Sequence, residues 1–226
     1  MSLQSASTSS SSLTRSEGRS PRRHPLAHPK GGMCLVDEGG VIPAATKDIL
    51  SKVASKLIKV QLNDILKLSA PAFVHCPRTY LECAAMDLSF SPDYLRKAAL
   101  EKDPIARLKL ITCMYVGGQH ISPQYCQMRA PLNPVLGETL QREMADGTRF
   151  FAEQTSHHPP ITNFYLDGPG YRFSGYFEYK AWLAGFNAIG GARVGKQIMN
   201  FDDGGLISII DPTAEIQGLT IGDKVH

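Results

Sequence analysis

The chain has 226 residues, a formal net charge of +3, and 42% hydrophobic residues. A chain of this length can bury roughly 70% of its unfolded surface, so a real hydrophobic core is expected. Residues 1–31 hold five basic residues against one acidic residue, which leaves the remainder at a net charge of −1. A nearly neutral body argues against a nucleic-acid-binding protein, whose basic surface lies in its folded part.

The cysteines indicate the redox compartment of the protein, and the lengths of the apolar runs indicate how it can contact a membrane. The five cysteines are an odd number without CxxC spacing, and no secretory hydrophobic region precedes them. This pattern favours free thiols in a reducing compartment. No run of about 18 apolar residues occurs, so any membrane contact is expected to be peripheral.

Residues 1–31 form a Ser-, Arg- and Pro-rich segment with almost no large apolar side chains. Such a segment cannot repay the entropy of ordering, so we predict a disordered tail and place the folded body at 32–226. A transit peptide is the alternative interpretation, although the Pro and Gly residues weaken an amphipathic helix there.

The segment TKDILSKVASKLIK, residues 46–59, predicts a short basic amphipathic helix. Its apolar residues recur at helical spacing and four lysines surround them. Two interpretations stay open: a surface helix packed on its own domain, or a mobile element that touches an anionic membrane or covers a pocket.

Two consecutive helices are predicted before Gly117 and Gly118. Each opens with a capping residue followed by a proline, Ser91 with Pro92 and then Asp103 with Pro104. Residues 70–88 show no clean periodicity and are interpreted as an irregular connection.

After about residue 148 the sequence predicts an antiparallel β-meander. The runs TRFFAEQ, ITNFYL and YRFSGYFEYKAW are aromatic and β-branched, and LDGPG supplies a turn between the last two. Short strands follow around LISII and AEIQGLTI. The glycines of GGARVG, residues 190–195, are interpreted as a hairpin turn or bulge, because no phosphate-loop context surrounds them.

The most informative stretch is EQTSHHPP, residues 153–160. If His157 and His158 continue a strand, their side chains point to opposite faces, which is awkward for one shared metal ion. Ser156 precedes the pair but has no nucleophile-elbow motif around it, so a hydrolase is disfavoured. Adjacent imidazoles suit recognition of a phosphomonoester, and the two following prolines reduce the entropy lost in positioning them.

EQTSHHPP resembles the EQVSHHPP signature of the oxysterol-binding protein family, with Thr155 in place of Val. APLNPVLGET, residues 130–139, is similar to that family's K-P-[LF]-N-P-x-L-G-E-T segment. SGYFEYKAW, LNDILKLSAPAFV and the two helices also fall in the family order, so the similarity covers about residues 45–226.

The resemblance implies a mainly β fold with N-terminal helices (α+β), in which a large, incompletely closed antiparallel β-barrel binds a lipid. The lid and helices would occupy residues 45–118 and the barrel strands residues 119–226. It implies a non-enzymatic lipid-transfer protein without cofactor or metal. Its partners would be phosphatidylinositol 4-phosphate and a sterol or glycerophospholipid, and it would lie in the cytoplasm, peripheral at membranes such as endoplasmic reticulum contact sites.

The same resemblance assigns residues. His157, His158 and Asn133 match positions that hold the lipid headgroup, and the segment around Leu66, Leu68 and Ser69 matches the stretch under the lid. Gln119 and Arg193 are pocket candidates by position only.

Two departures from the family pattern are visible. The lysine that begins the family's NP segment falls on Ala130, and Arg129 just before it is the candidate replacement. The family domain also extends beyond the point matched by His226, so the C-terminal part of the barrel is missing. A fragment, a partner that completes the barrel, and a divergent short member stay open. A truncated phosphoinositide-binding adaptor or tether without lipid extraction is the alternative function.

Overall fold

The computed structural model describes residues 72, 75–119, 121, 126, 129–184 and 188–217. Over these residues the chain forms three helices and ten strands. The helices are α1 (Tyr80–Asp87), α2 (Ser91–Leu100) and α3 (Pro104–Gly118). The strands are β1 (His75–Thr79), β2 (Ala130–Leu132), β3 (Thr139–Glu143), β4 (Arg149–His157), β5 (Pro160–Gly168), β6 (Tyr171–Leu183), β7 (Ala188–Val194), β8 (Gln197–Phe201), β9 (Leu206–Ile209) and β10 (Ala214–Gln217).

The interpretation of residues 70–88 as irregular was wrong, because β1 and α1 lie there. The start of α1 carries a capping box: the backbone N–H of Thr79 donates to Glu82 Oε2 at 3.1 Å. A Thr followed three residues later by Glu is a sequence mark of a helix N-terminus. The signal was therefore in the sequence, although the segment lacks helical periodicity.

Both predicted helices are present, but only one predicted cap is correct. Asp103 caps α3, and its carboxylate accepts from the backbone N–H groups of Ile105 at 3.2 Å and Ala106 at 3.1 Å. Ser91 does not cap α2, because Phe90 occupies the N-cap and Ser91 is already the first helical residue, fully buried.

The strands form a two-stranded parallel sheet, β1–β2, and an eight-stranded antiparallel sheet. The large sheet follows the order β10–β7–β6–β5–β4–β3, and the long strand β6 also pairs with β8, which pairs with β9. Among the described strands this sheet does not close on itself. The mainly β fold with helices before an open antiparallel barrel-like sheet is thereby confirmed.

Residues 190–194 belong to strand β7, so the hairpin or bulge predicted for GGARVG was wrong there. Gly190 pairs with Trp182 of β6, and a Cβ at Gly190 would stand only 2.3 Å from the indole ring. The glycine is needed because the tryptophan side chain fills the space above it. A glycine inside a strand often marks such a close approach.

The core lies between the three helices and one face of the large sheet. Period-two alternation sends Phe150, Phe164 and Phe173 toward the helices and leaves Tyr165 and Tyr176 on the outer face. Leu81, Leu95 and Met114, one from each helix, are fully buried against them. The sheet thereby acquires one covered face, and the β4–β5 hairpin ends at its rim.

Several predictions lie outside the described residues: the tail at 1–31, the helix at 46–59, and Leu66, Leu68 and Ser69. The division into a tail and a body at residue 32 stays a prediction. Among the described helices, none is long and apolar enough to cross a bilayer.

Candidate functional site

The EQTSHHPP segment is the tip of a hairpin between β4 and β5. His157 is the last residue of β4 and pairs with Pro160, the first residue of β5, while His158 and Pro159 form the turn. The prolines restrict the backbone on the far side of the turn. The two histidines are therefore held at a strand end by backbone pairing on one side and by ring-constrained residues on the other.

The two imidazoles lie side by side. Their ring centroids are 4.6 Å apart and the rings are tilted by 54°. They do not point to opposite faces, because β4 ends at His157 and the chain turns at His158. In the part of the chain that the structure describes, no group of three His, Cys, Asp or Glu side chains is arranged to hold a metal ion.

His157 leaves one ring nitrogen without a partner. Its Nδ1 is shielded from solvent and accepts or donates no hydrogen bond among the described residues. An unsatisfied polar atom of this kind costs about 1–3 kcal/mol, so native structures keep few of them. His158, by contrast, is exposed. One ring is thus partly sheltered and the other is open to a ligand.

A buried polar residue supports the strand end beneath the histidines. Gln154 is 1% exposed, and its Nε2 donates to the carbonyl of Ser156 at 3.0 Å. Thr162 of β5 donates to Gln154 Oε1 at 2.6 Å. The pairing of β4 with β5 shifts register between Gln154 and Ser156, so these bonds fix the irregular backbone that precedes His157.

The NPVLGE loop, residues 133–138, is attached to the same glutamine. The backbone N–H of Gly137 donates to the carbonyl of Gln154 at 2.8 Å, and the N–H of Gln154 donates to the carbonyl of Glu138 at 2.9 Å. Glu138 Oε2 accepts from the N–H of Val135 at 3.1 Å, which closes the loop. Gly137 has φ of 78°, a conformation that favours glycine. The two motifs found in the sequence therefore meet at one backbone position.

Asn133 and Arg129 lie on the approach to this loop. Asn133 is exposed immediately after β2, next to the buried Pro134, and so presents a free amide at the start of the loop. Arg129 is exposed just before β2, and its backbone N–H donates to the carbonyl of Cys126 at 2.9 Å. Because Arg129 precedes the strand, strand alternation does not dictate where its side chain points.

Gln119 and Arg193 line the same crevice between helices and sheet, together with Tyr115, Phe177 and Gln197. The crevice has a volume of only ≈ 10 Å³, about the space of one water-sized sphere. A larger hollow of ≈ 300 Å³ lies at the surface beside β3, β4 and β5, lined partly by Phe151 and Asn163. Neither the crevice nor the hollow includes the histidine pair.

Arg193 stands in a buried cluster of ionisable groups that the sequence did not reveal. Its Nη1 lies 3.1 Å from Asp87 Oδ2 and its Nε lies 3.0 Å from Asp211 Oδ2. The guanidinium also stacks over the ring of Phe177, with 5.1 Å to the centroid. Asp87 ends α1 and Asp211 follows β9, so no local sequence motif could have predicted that both contact Arg193.

Burial perturbs three titratable neighbours of Arg193. It raises the pKa of Tyr80 and of Tyr179, which flank the guanidinium. Burial, helped by the Asp87 carboxylate, raises the pKa of Asp211 to about 7. One guanidinium thus faces two carboxylates. The negative charge of Asp87 opposes ionisation of the Asp211 carboxyl group.

Comparison with known proteins connects this architecture to a family. The oxysterol-binding protein family matches residues 53–226. Oxysterol-binding protein 9 of Dictyostelium discoideum is 32% identical over 207 residues, which cover 88% of this chain and 46% of that protein. Human oxysterol-binding protein-related protein 8 is 32% identical over 167 residues, 70% of this chain and 18% of that protein.

Solved structures give the same fold. The ORD of Osh3 from Saccharomyces cerevisiae, in complex with PI(4)P, superposes with a TM-score of 0.67 at 21% identity, over 78% of this chain and 46% of that one. The Osh1 ORD in complex with cholesterol has a TM-score of 0.63 at 21% identity, over 80% and 50% of the two chains. This chain therefore spans about half the length of those domains.

The open antiparallel sheet, the helices on its inner face and the histidine hairpin together define a domain of the ORD fold. The chain belongs to the oxysterol-binding protein family. The family predicted from EQTSHHPP and APLNPVLGET is thereby confirmed, while the roles of individual residues stay predictions.

Proposed function

We propose that this chain binds phosphatidylinositol 4-phosphate through the β4–β5 hairpin and carries it, or a sterol or glycerophospholipid, between membranes. The observation that carries the proposal is the junction at Gln154, where the NPVLGE loop hydrogen-bonds the strand that bears His157 and His158. Two motifs separated in sequence thereby face one headgroup. The solved relatives support the ligand classes, since the Osh3 ORD holds PI(4)P and the Osh1 ORD holds cholesterol.

The side chains at the hairpin suit a phosphomonoester. Two imidazoles 4.6 Å apart can each donate to a different oxygen of one phosphate. A charge-assisted hydrogen bond of this kind contributes about 1.5–3 kcal/mol. Asn133 adds an amide donor from the neighbouring loop, and Arg129 supplies the cation in place of the lysine that Ala130 replaces. The proposed location is the surface of membranes, in peripheral contact.

A second candidate function is headgroup docking without lipid extraction. The crevice lined by Gln119 and Arg193 has a volume of ≈ 10 Å³, whereas a lipid tail loses about 0.8 kcal/mol per CH₂ if no apolar cavity receives it. A chain that offers the headgroup site without such a cavity would tether or sense membranes. Extraction and docking differ in one measurable step, the removal of lipid from the bilayer.

The test is extraction of labelled phosphatidylinositol 4-phosphate from liposomes by the 226-residue chain and by the double variant His157→Ala/His158→Ala. We expect the wild type to remove the lipid and the variant to lose this activity by at least about tenfold, since each lost bond removes about 1.5 kcal/mol or more. Liposome co-sedimentation on the same samples separates extraction from docking.

A matched control removes two exposed cations elsewhere. Lys97 and Lys109 are both exposed and lie on helices α2 and α3, outside the β4–β5 hairpin. Lys97→Ala/Lys109→Ala should leave binding near the wild-type level. Binding without extraction by the folded wild type would favour the docking function. Equal binding by the wild type and the histidine variant would refute the headgroup assignment.

A further inference from the structure

Three of the cysteines form a buried cluster that the lipid-binding proposal does not use. Cys76 lies in β1, Cys83 in α1, and Cys126 three residues before Arg129, and their side chains are 5%, 1% and 3% exposed. The cluster is separate from the main core, and among the residues that the structure describes Tyr80 is the one partly buried apolar residue packed against it. Three chain segments thus place their thiols at one point.

Two of these thiols are in direct contact. Cys83 Sγ and Cys126 Sγ lie 3.3 Å apart, with one thiol donating to the other, although the residues are 43 positions apart in sequence. A disulfide needs about 2.05 Å between the sulfurs, so a side-chain shift of just over 1 Å would bring them into bonding distance. Cys76 adds a third thiol to the same cluster.

We propose that Cys83 and Cys126 are a disulfide-forming pair, a modification site that locks α1 to the segment leading into β2. The inference stands on this contact and does not depend on the function proposed above. Its oxidant is a small-molecule disulfide. The thiolate of one cysteine attacks that disulfide, releases one small thiol and forms a mixed disulfide; the second cysteine then displaces the other small thiol. One Sγ–Sγ bond forms, the S–S bond of the small molecule breaks, and the two protons and two electrons from the cysteines end on the two released thiols.

A metal site is the other chemistry that clustered thiols support, and the distance disfavours it. Tetrahedral zinc with Zn–S bonds of about 2.3 Å holds its sulfurs about 3.8 Å apart. The Cys83–Cys126 separation of 3.3 Å is shorter than that. No three ligand side chains among the described residues have an arrangement that could hold a metal. The short contact suits a covalent bond between the sulfurs better than a shared ion.

Burial controls how fast the bond forms. Desolvation, reinforced by hydrogen bonds from Cys76 and Cys83, raises the pKa of the Cys126 thiol, so little thiolate exists in the closed structure. Because the thiolate is the attacking species, oxidation should be slow and should accelerate with rising pH. The exposed Cys113 on α3 provides an internal comparison, since it is free and reaches solvent without any opening.

The experiment equilibrates the full chain with mixtures of oxidised and reduced glutathione and maps the products by peptide mass spectrometry. We expect a Cys83–Cys126 cross-link with loss of two hydrogens and no added glutathione, and a simple glutathione adduct at Cys113. The cross-linked fraction should follow a two-electron transition. Because the link closes a loop of 43 positions, it should raise the Tm by roughly 5–10 °C.

Single substitutions keep the test decisive. Cys83→Ala and Cys126→Ala should each abolish the cross-link and the Tm shift, whereas Cys76→Ala, the matched change in the same cluster, should retain both. A chain whose three cluster thiols stay reduced after full equilibration with the oxidised glutathione mixtures, while Cys113 is modified, would overturn the proposal. Glutathione adducts on Cys83 or Cys126 in place of a cross-link would overturn it as well, as would binding of one zinc ion per chain lost in Cys76→Ala.

Discussion

The histidine hairpin and the Arg193 cluster are both polar, but they differ in whether their polar atoms have hydrogen-bond or ion-pair partners. At the hairpin, His158 is exposed and His157 Nδ1 has no partner among the described residues. In the cluster, the guanidinium of Arg193 is 18% exposed and contacts Asp87, Asp211 and the ring of Phe177. One region leaves hydrogen-bonding capacity unused at the rim of the sheet, and the other uses its charges to join α1, β7 and the segment after β9.

The difference separates a candidate binding site from an internal clamp. A buried charge is tolerated only when it is paired, so removing Arg193 alone is expected to destabilise the fold. The exposed imidazole of His158 contributes little to the fold and remains available to a ligand. Arg193, proposed from its position as a pocket residue, is therefore better supported as a structural residue. The predictions below test this division.

The largest effect is expected from Arg193→Met. The substitution keeps an apolar stem of similar length but leaves Asp87 and Asp211 buried beside each other without a cation. Breaking a buried ion pair in this way costs about 3–5 kcal/mol, which urea unfolding would measure. Arg172→Ala, which removes surface ion pairs with Asp202 and Asp167, serves as the control and should change the free energy of unfolding by no more than about 1 kcal/mol. A small loss for Arg193→Met would mean that the cluster does not clamp the fold.

A pH-dependent effect is expected from Asp211→Asn. Because burial and Asp87 raise the pKa of Asp211 from 3.8 to about 7, the folded chain retains a proton that the unfolded chain has lost. The stability linked to this proton is present below about pH 4 and is lost as the pH rises through about 7. The wild type should lose on the order of 2 kcal/mol between about pH 5 and pH 8 relative to Asp211→Asn, whose side chain does not titrate. Unfolding curves at the two pH values measure the difference.

Parallel pH curves for the wild type and Asp211→Asn would show that Asp211 stays ionised throughout. In that case Arg193 would hold both carboxylates in their charged form. The Arg193 cluster would then be an ion triad at all these pH values. Its fully paired charges would differ more clearly from the histidine hairpin.

The smallest effect is expected at the loop that faces the hairpin. Asn133→Ala removes one exposed amide donor, so phosphatidylinositol 4-phosphate binding should weaken by about 1 kcal/mol, roughly fivefold, with unchanged unfolding. Vesicle co-sedimentation measures it. Asn200→Ala, an exposed asparagine on β8, is the matched control. Equal binding by the two variants would show that Asn133 does not contribute to the headgroup site. The assignment of the histidine pair rests on the double histidine variant.

Much of the β region, and the family, could be inferred from local patterns in the amino-acid sequence. Alternating aromatic and polar residues fixed β4, β5 and β6, because a half-buried strand exposes every second side chain. Asp103 fixed the start of α3, and EQTSHHPP with APLNPVLGET carried the resemblance that the family match confirms. These features depend on neighbours in the sequence, so reading the chain locally was enough to find them.

Features that depend on residues far apart in sequence became visible in the folded chain. Position 190 requires glycine because the Trp182 side chain covers it, and the histidine rings lie side by side because β4 ends at His157. Gln154 joins the two motifs through backbone bonds that no spacing rule contains. The Arg193 cluster and the Cys83–Cys126 contact each bring together residues far apart in sequence. Such contacts arise from packing of the whole chain, and their energies depend on burial, which the local sequence does not specify.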